Sequence, residues 1–273
     1  MKDKLFDLEG KVAALTGAGG VLISMMAKEL AARGAKIAVL DLVPEAAQKV
    51  ADEIKAAGGQ ALALACNALD KPSIEAACAA IVKEWGRVDI LVNGAGGNNK
   101  KATTSPELSF FDMPADALRF VMDLNLLGTI FPCQVFGKLM AQQKSGVIIN
   151  TSSMNSFRPL TRIIGYSAAK AAINNVTQWL AVHMAQNYSP NIRVNAIAPG
   201  FFETLQNKFL LRDEKTGELT ARGNQIVSHT PAGRFGTPED LLGALIWLVS
   251  PSASFVSGIV VPVDGGFSAY SGV

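Results

Sequence analysis

Two side chains able to exchange a proton, Tyr166 and Lys170, stand four residues apart in the segment Tyr166-Ser-Ala-Ala-Lys170. This spacing places both on one face of a helix. A cation about 4 Å from a phenol favours the phenolate by roughly 4 kcal/mol, or about three pKa units, at an effective dielectric near 20. The pair would then be a proton donor close to working pH. Chance also produces this spacing on exposed helices, so the neighbouring motifs must decide.

The composition limits which partners and compartments are possible. With 273 residues, 49% of them hydrophobic, the chain is predicted to form one domain over residues 1–273. A net charge of +2 from 25 basic and 23 acidic residues favours neither nucleic acid nor a membrane as partner. The three cysteines, Cys66, Cys78 and Cys133, are odd in number and widely spaced, which is typical of reduced thiols rather than disulfides or a metal site. The N-terminus has no apolar leader, and a cytoplasmic protein is expected.

Short apolar runs rich in β-formers alternate with longer helical patterns. The predicted strands are Lys11 to Leu15, Lys36 to Leu40, Gln60 to Ala65, Val88 to Val92, Gly146 to Thr151, Ile192 to Ile197 and Ile259 to Val263. The predicted helices are Ser24 to Arg33, Pro44 to Ala57, Ser73 to Trp85, Ala115 to Gln143, Tyr166 to Gln186 and Pro238 to Leu248. Seven strands apolar on both faces, alternating with helices, predict a doubly wound α/β fold with a seven-stranded parallel sheet covered by helices on both sides.

One long stretch lacks a regular pattern and is polar in its middle. It covers residues 200–236 and contains the run Arg212-Asp-Glu-Lys-Thr-Gly-Glu218. Long connections within compact domains are commonly functional or mobile. We therefore expect a substrate lid here, with His229 as a lid or surface residue rather than a catalytic one.

A glycine-rich turn follows the first predicted strand and opens the first helix. It comprises Gly17, Gly19, Gly20, Val21 and Leu22, and such a turn lets backbone N–H groups approach a pyrophosphate. Asp41 ends the next strand, where a carboxylate accepts hydrogen bonds from both ribose hydroxyls, although it could also be an ordinary helix-capping acid before Pro44. A carboxylate at this place repels a 2′-phosphate, so the sequence predicts NAD(H) in preference to NADP(H).

These motifs, taken in order, resemble the short-chain dehydrogenase/reductase family over essentially the whole chain. The motifs are Thr16-Gly17, Asn93-Gly-Ala-Gly96, Asn125, Ser153, Tyr166 with Lys170, Pro199-Gly200 with Thr204, and Asp264-Gly-Gly266. The resemblance implies a Rossmann fold and an enzyme that transfers hydride between nicotinamide and a carbinol or carbonyl carbon. Two positions depart from the family pattern of glycines, Val21 and Ile23, and Gly94 replaces a second asparagine.

The resemblance implies a role for each member of a catalytic set. Ser153 would hydrogen-bond the substrate oxygen, Tyr166 would transfer the proton, and Lys170 would bind the nicotinamide ribose and keep the phenol acidic. Asn125 would hold a water that links Lys170 to solvent, but a purely structural hydrogen bond explains this buried amide nearly as well. Ser152, next to Ser153, could merely cap the strand end.

Further cofactor contacts are implied by position. They involve Asn67, Asn93, Ala95, Pro199 and Thr204, besides the glycine turn, Asp41, Tyr166 and Lys170. Asn93 could instead tie neighbouring strand ends together, and Asn67 stands where an aspartate is common in the family.

The substrate is predicted from the loops around this set. Four segments carry a closer likeness: Gly19-Gly-Val-Leu22, Asn93-Gly-Ala-Gly-Gly-Asn98, Ser152-Ser-Met-Asn155 and Gly266-Phe-Ser-Ala-Tyr-Ser-Gly-Val273. In these the chain is similar to the branch described as D-mannonate oxidoreductases, which implies interconversion of D-mannonate and D-fructuronate. A sugar acid needs a cation and several polar groups. Asn155 and Arg158, just after Ser153, are the first candidates, with these loop residues in support: Asn98, Asn99, Lys100, Lys101, Arg162, Gln206 and Asn207. Open alternatives are another polyol or gluconate, a 3-oxoacyl thioester, or a non-catalytic nicotinamide sensor.

Family members commonly assemble as tetramers, which predicts a homotetramer through the two longest helices. Their apolar residues away from the site include Phe131, Phe136, Ile173, Trp179 and Leu180, and these could also be ordinary core.

Overall fold

A seven-stranded sheet, with every strand pair parallel, organises the chain. The structure, a computed structural model, describes residues 5–204, 208–213 and 216–272. The strands are β1 Val12–Thr16, β2 Lys36–Asp41, β3 Gln60–Ala65, β4 Ile90–Asn93, β5 Gly146–Thr151, β6 Ile192–Pro199 and β7 Val260–Val263. The α-helices are α1 Val21–Ala32, α2 Pro44–Ala56, α3 Lys71–Trp85, α4 Ala115–Met122, α5 Gly128–Gln143, α6 Ile164–Asn187, α7 Lys208–Leu211, α8 Ala221–Ser228 and α9 Leu242–Val249. The predicted doubly wound Rossmann fold is confirmed.

The strand order is β3-β2-β1-β4-β5-β6-β7, so the winding direction reverses between β1 and β4. At that reversal the two strand ends meet in register, with Thr16 opposite Asn93. In sheets of this kind, ligands bind beyond the carboxyl ends of the strands at the reversal point. A ligand is therefore expected at the loops that follow β1 and β4, and at the neighbouring loop that follows β5.

Alternation along the strands divides the core between the two faces of the sheet. Ala13 and Leu15 of β1 pack with α1, α2 and α9, whereas Val12 and Ala14 pack with α3, α5 and α6. Both sets are buried, as expected for a parallel sheet covered on two sides. The three cysteines are buried free thiols.

The boundaries of the predicted strands and helices are correct to within a few residues, except within the fourth predicted helix. The helix predicted over Ala115 to Gln143 is interrupted by a π-helical turn, Asp123–Leu127, which contains Asn125. Turns of this type widen the helix locally and recur at functional sites. Residues Ala115–Gln143 also satisfy the length and composition expected of a membrane span, as core helices often do. Phe136 and Met140 of this stretch are fully buried against the sheet.

The proposed assembly surface is smaller than the sequence suggests. Phe136 and Ile173 are fully buried and belong to the core, whereas Trp179 is 61% exposed. The alternative of ordinary core therefore holds for Phe136 and Ile173, because periodicity identifies an apolar face and does not tell which part of a wide face the sheet covers.

The segment predicted as a lid has structure of its own. It contains α7 and α8, and Leu211, Ile226 and Phe235 form a small separate apolar cluster. Thr220 begins α8 as N-cap by accepting a hydrogen bond from the Gly223 N–H at 3.0 Å. Gln206 and Asn207, two of the expected polar residues, lie outside the described residues.

Candidate active site

Ser153 and Tyr166 meet through their hydroxyl groups. Ser153 follows the end of β5, and Tyr166 lies in the first turn of α6, so strand and helix bring together residues separated by a loop. The Ser153 hydroxyl hydrogen-bonds the Tyr166 hydroxyl and lowers the pKa of the phenol, but burial has the larger, opposite effect and holds that pKa above its ordinary value. The Asn155 N–H donates to Ser153 Oγ at 3.2 Å. This bond orients the serine hydroxyl beside the phenol.

Lys170 lies beside Tyr166 as the spacing predicts, but it does not act on the phenol as predicted. Its Nζ donates to the Thr151 carbonyl at 2.7 Å and stands 5.5 Å from the centre of the Tyr166 ring. Burial lowers the pKa of Lys170 to about 8. The expectation that this cation brings the phenol close to neutral pH is therefore wrong for the protein alone. The reason is that burial penalises both charges, and the ammonium is held by a backbone carbonyl.

Asn125 is completely buried and anchors the loop after β4. Its Nδ2 donates to the carbonyls of Gly97, at 2.7 Å, and Val121, at 2.8 Å, while its Oδ1 accepts from the Gly97 N–H. The structural role foreseen for this amide is thus present. A Cβ at Gly96 would lie 2.7 Å from Asn125 Oδ1 and 3.4 Å from Lys170 Nζ, so both side chains border the same glycine.

The glycine turn after β1 fits a dinucleotide despite its departures from the family pattern. Gly17 has φ +64°, and a Cβ there would stand 2.9 Å from the Ala95 backbone. Gly20 caps α1 without any side-chain hydrogen bond, and the first turn of that helix carries no acid. Backbone N–H groups at such a helix start attract a phosphate. The crowding explains why bulk is excluded at Gly17.

Asp41 links the glycine turn to the end of β2. Its Oδ2 accepts from the Gly19 N–H at 2.8 Å, and its Oδ1 accepts from the Val43 N–H at 2.9 Å. A carboxylate offers about four lone-pair sites, so acceptor capacity remains for ribose hydroxyls. The capping alternative is not observed: Val43 begins α2 without a side-chain cap, and at that helix start Asp41 bonds only the N–H of Val43 itself.

Asn93 takes the structural role considered for it. Its side chain is buried between strands, where Nδ2 donates to Asn150 Oδ1 at 2.9 Å and contacts Cys133 Sγ at 3.1 Å. This ties β4 to β5. Asn67, in contrast, is exposed beyond β3, and its Oδ1 accepts from the Leu69 N–H.

The remaining predicted cofactor residues lie at the strand ends. Ala95 donates its N–H to Thr16 Oγ1 at 3.3 Å, which joins the loops after β1 and β4. Pro199 ends β6 opposite Val263 of β7. Thr204 follows at the start of the lid.

The two predicted substrate residues have different surroundings. Asn155 is buried, and its Oδ1 has no hydrogen-bond partner among the described residues. Arg158 is exposed, and its Nε donates to the Ser268 carbonyl of the C-terminal segment at 3.1 Å. Asn155 and Arg162, together with Phe110, help to line a cavity of about 480 Å³.

The C-terminal segment and the lid meet through aromatic rings. Phe267 packs edge-on against Phe201 and against His229, with ring centres 5.3 and 5.2 Å apart, and His229 also packs on Tyr270. His229 is therefore a packing residue of the lid, as expected.

Two groups that hold the predicted catalytic residues are absent from the sequence-based prediction. One is the Thr151 carbonyl that receives Lys170, which has no side-chain signature. The other is Asn174, whose amide bonds Ser152 and Ser156 on either side of Ser153. Asn174 lies four residues beyond Lys170, so the helical spacing that singled out Tyr166 could also have indicated it.

Comparison with known proteins agrees with this geometry. Residues 24–268 match the family model described as enoyl-(acyl carrier protein) reductase. The chain belongs to the short-chain dehydrogenase/reductase family, and it is an oxidoreductase of that family.

Similar proteins include two enzymes with sugar-acid names and an uncharacterized oxidoreductase. A provisionally assigned D-mannonate oxidoreductase from Haemophilus influenza, solved with bound NAD, is 51% identical, covers 98% of each chain and has a TM-score of 0.92. The uncharacterized oxidoreductase UxuB of Bacillus subtilis is 50% identical over 98% of each chain. The 2-dehydro-3-deoxy-D-gluconate 5-dehydrogenase of Escherichia coli is 36% identical over 97% of this chain and 98% of its own.

Proposed function

We propose that this enzyme interconverts a hydroxyl and a ketone on a sugar acid, with D-mannonate and D-fructuronate as the pair, using NAD(H). The contact between Ser153 and Tyr166, beyond the carboxyl end of β5 and next to the reversal point between β1 and β4, carries the reaction type. The 51% identity to a provisionally assigned D-mannonate oxidoreductase supports the substrate.

In the proposed mechanism, Tyr166 exchanges the proton with the substrate oxygen. In the reducing direction, Tyr166 donates to the developing alkoxide while Ser153 donates a hydrogen bond to the same oxygen. In the oxidising direction, the phenolate accepts the proton. Because burial raises the pKa of Tyr166, its donor form predominates at neutral pH. Burial lowers the pKa of Lys170 to about 8, so this side chain can also exchange a proton near neutral pH.

The residues around the glycine turn would hold the cofactor. Gly17, Gly19 and Gly20 supply the phosphate-binding backbone, Asp41 accepts from the adenosine ribose, and Lys170 donates to the nicotinamide ribose. Asn67, Ala95, Pro199 and Thr204 complete the set. Once bound, the nicotinamide supplies hydride exchange at the carbinol carbon. Asp41 makes NAD(H) the preferred form, because its charge opposes a 2′-phosphate.

Asn125 is assigned a second role beside its structural one. Its Oδ1 borders Gly96 together with Lys170 Nζ. A water held there would connect Lys170 to solvent and complete a proton relay with Tyr166 and Ser153.

Arg158 and Arg162 are the two candidates for binding the substrate carboxylate. Arg158 lies close to Ser153 in sequence and would be freed by opening of the C-terminal segment, since its Nε binds Ser268. Arg162 instead lines the cavity beside Asn155 and has a left-handed backbone with φ 74°. Burying an amide oxygen without a hydrogen-bond partner costs about 1–3 kcal/mol. A sugar hydroxyl that donates a hydrogen bond to Asn155 Oδ1 would remove that cost. Arg158 remains our first assignment because of its nearness to the serine.

An NAD(H)-linked absorbance assay over hexonates, hexuronates and polyols tests the proposed function in both directions. The panel includes D-mannonate, D-fructuronate, gluconate and a 3-oxoacyl thioester. We expect the highest kcat/KM for the mannonate and fructuronate pair. A higher value for gluconate or the thioester would replace the proposed substrate, and no turnover with any of them would favour a non-catalytic nicotinamide sensor.

We also propose a homotetramer in the cytoplasm. Trp179 on α6 is 61% exposed and Phe255 is fully exposed, which leaves large apolar side chains at the surface. The buried free thiols accord with a reducing compartment. Light scattering would measure the mass in solution, and a monomer would count against assembly.

A further inference from the structure

Three polar side chains surround the catalytic serine without facing the phenol. Ser152 Oγ donates to Asn174 Oδ1 at 2.5 Å, and Asn174 Nδ2 donates to Ser156 Oγ at 2.8 Å. Ser156 Oγ in turn donates to the Ser153 carbonyl at 2.6 Å. Ser152 is 1% exposed, so this chain of bonds is largely shielded from water.

Ser152 Oγ also lies 3.2 Å from Ser156 Oγ and 3.4 Å from the Lys170 carbonyl, but its single hydrogen favours the much shorter bond to Asn174. With that bond made, the three bonds form one directed series in which each hydrogen is used once. A hydroxyl has a single hydrogen, and an amide offers separate donor and acceptor atoms. Asn174 can therefore accept from Ser152 and donate to Ser156 at the same time, which leaves the Ser156 hydrogen for Ser153. Neither alanine nor aspartate can do both, because alanine has no polar atoms and an ionised aspartate only accepts.

We propose that Asn174 is a positioning residue that fixes the Ser153 hydroxyl against the Tyr166 phenol. This inference rests on the proposed catalytic roles of those two residues. Asn174 lies eight residues after Tyr166 and four after Lys170, so all three share one face of the rigid helix α6. By holding Ser152 and Ser156, Asn174 attaches the loop on both sides of the serine to the helix that carries the phenol.

The physical consequence concerns proton transfer and not cofactor affinity. The elements that would hold the dinucleotide, the turn after β1 and Asp41, make no contact with Asn174 in the bonds described. Loss of Asn174 would instead let the serine hydroxyl move relative to the phenol. A displacement of about 1 Å at a reacting centre costs up to roughly a hundredfold in rate.

The first test compares Asn174→Ala with Asn175→Ala. Asn175 is the next residue, has the same side chain and is exposed. With the best substrate of the assay panel, we expect Asn174→Ala to lower kcat about tenfold or more. Its KM for NAD should change little, and Asn175→Ala should match the wild type in both. Equal kcat values in the two folded variants would overturn the proposal.

The second readout is the ionisation of Tyr166 itself, which needs no substrate. The Ser153 hydrogen bond lowers the phenol pKa, so a misplaced serine should raise it. Ultraviolet difference titration measures this change, with Tyr166→Phe identifying the signal among the three tyrosines. The titration should shift to higher pH in Asn174→Ala and stay in place in Asn175→Ala. An unchanged titration in both would contradict a positioning role.

A smaller substitution keeps the proposal testable if Asn174→Ala does not fold. Ser156→Ala removes the bond to the Ser153 carbonyl, whereas Ser156→Thr retains a hydroxyl. We expect a lower kcat with alanine and recovery with threonine; equal activity of both would overturn the proposal. Ser153→Ala separates the two claims. If Ser153→Ala is inactive but the Asn174 and Ser156 variants are normal, only the positioning role fails, and an active Ser153→Ala contradicts the proposed function.

Discussion

Ile23 occupies the space that a side chain at Gly94 would need. A Cβ at Gly94 would lie 2.3 Å from Ile23 Cγ1 and 2.8 Å from the Thr16 carbonyl. Both positions depart from the family pattern, since Ile23 replaces a glycine and Gly94 replaces an asparagine. The two departures are therefore complementary: the bulk lost from the loop after β4 is regained in the first turn of α1.

Gly94→Ala should lower the free energy of unfolding by about 1–3 kcal/mol, because overpacking strains the neighbouring atoms. Adding Ile23→Ala removes the clash between the new Cβ at position 94 and the Ile23 side chain. The clash of that Cβ with the Thr16 carbonyl remains. The double variant should then be more stable than the sum of the single variants implies. Urea denaturation measures all of these differences.

The control for this cycle is Gly243→Ala. No atom lies within 4 Å of a Cβ at Gly243, which is in α9. Alanine there should be neutral or stabilise by up to about 1 kcal/mol. Additive effects of the Ile23 and Gly94 substitutions would refute their complementarity.

Features that depend on residues close together in the sequence could be predicted from it, and features that depend on the whole fold could not. Strand periodicity, the glycine turn and the spacing from Tyr166 to Lys170 are local, and they predicted the sheet and the helix face. The pKa of Tyr166 depends on burial by the whole fold, which spacing does not reveal, so its direction was predicted wrongly. The bond from Arg158 to Ser268 joins residues 110 apart, and no local pattern indicates it.

Asp41→Asn should weaken the preference for NAD. Neutralising this carboxylate removes a charged acceptor for the ribose hydroxyls, worth about 1.5–3 kcal/mol, and reduces repulsion of a 2′-phosphate. We expect the ratio of kcat/KM with NAD to that with NADP to fall about tenfold or more. Steady-state kinetics with both cofactors measures the ratio, and Asp52→Asn, exposed on α2, is the control. Wild-type preference for NADP would contradict the assignment of Asp41.

The buried Lys170 should make stability depend on pH in a defined direction. Its pKa is lowered to about 8, whereas an unfolded lysine titrates near ~10.4. Between these values the unfolded chain binds the proton that the folded protein has lost, so the free energy of unfolding rises with pH. Below pH 8 both states are protonated, and the cost of burying the ammonium is fully present.

The comparison that isolates this effect is wild type against Lys170→Met, which carries no charge. From about pH 7 to 9.5, wild type should gain on the order of 1–2 kcal/mol relative to the variant. Lys138→Met, at an exposed lysine, is the matched control for the removal of one lysine. If the difference between wild type and Lys170→Met does not vary with pH over this range, Lys170 does not lose its proton there.

The most direct test of the proposed mechanism is the rate of Tyr166→Phe, which removes one oxygen atom from the site. We expect kcat to fall by about 10²–10⁴-fold in both directions, while the Kd for NADH, measured by fluorescence titration, stays near the wild-type value. Tyr188→Phe, at an exposed tyrosine, should leave both quantities unchanged. A Tyr166→Phe enzyme with a rate near that of the wild type would contradict the central claim that Tyr166 transfers the proton.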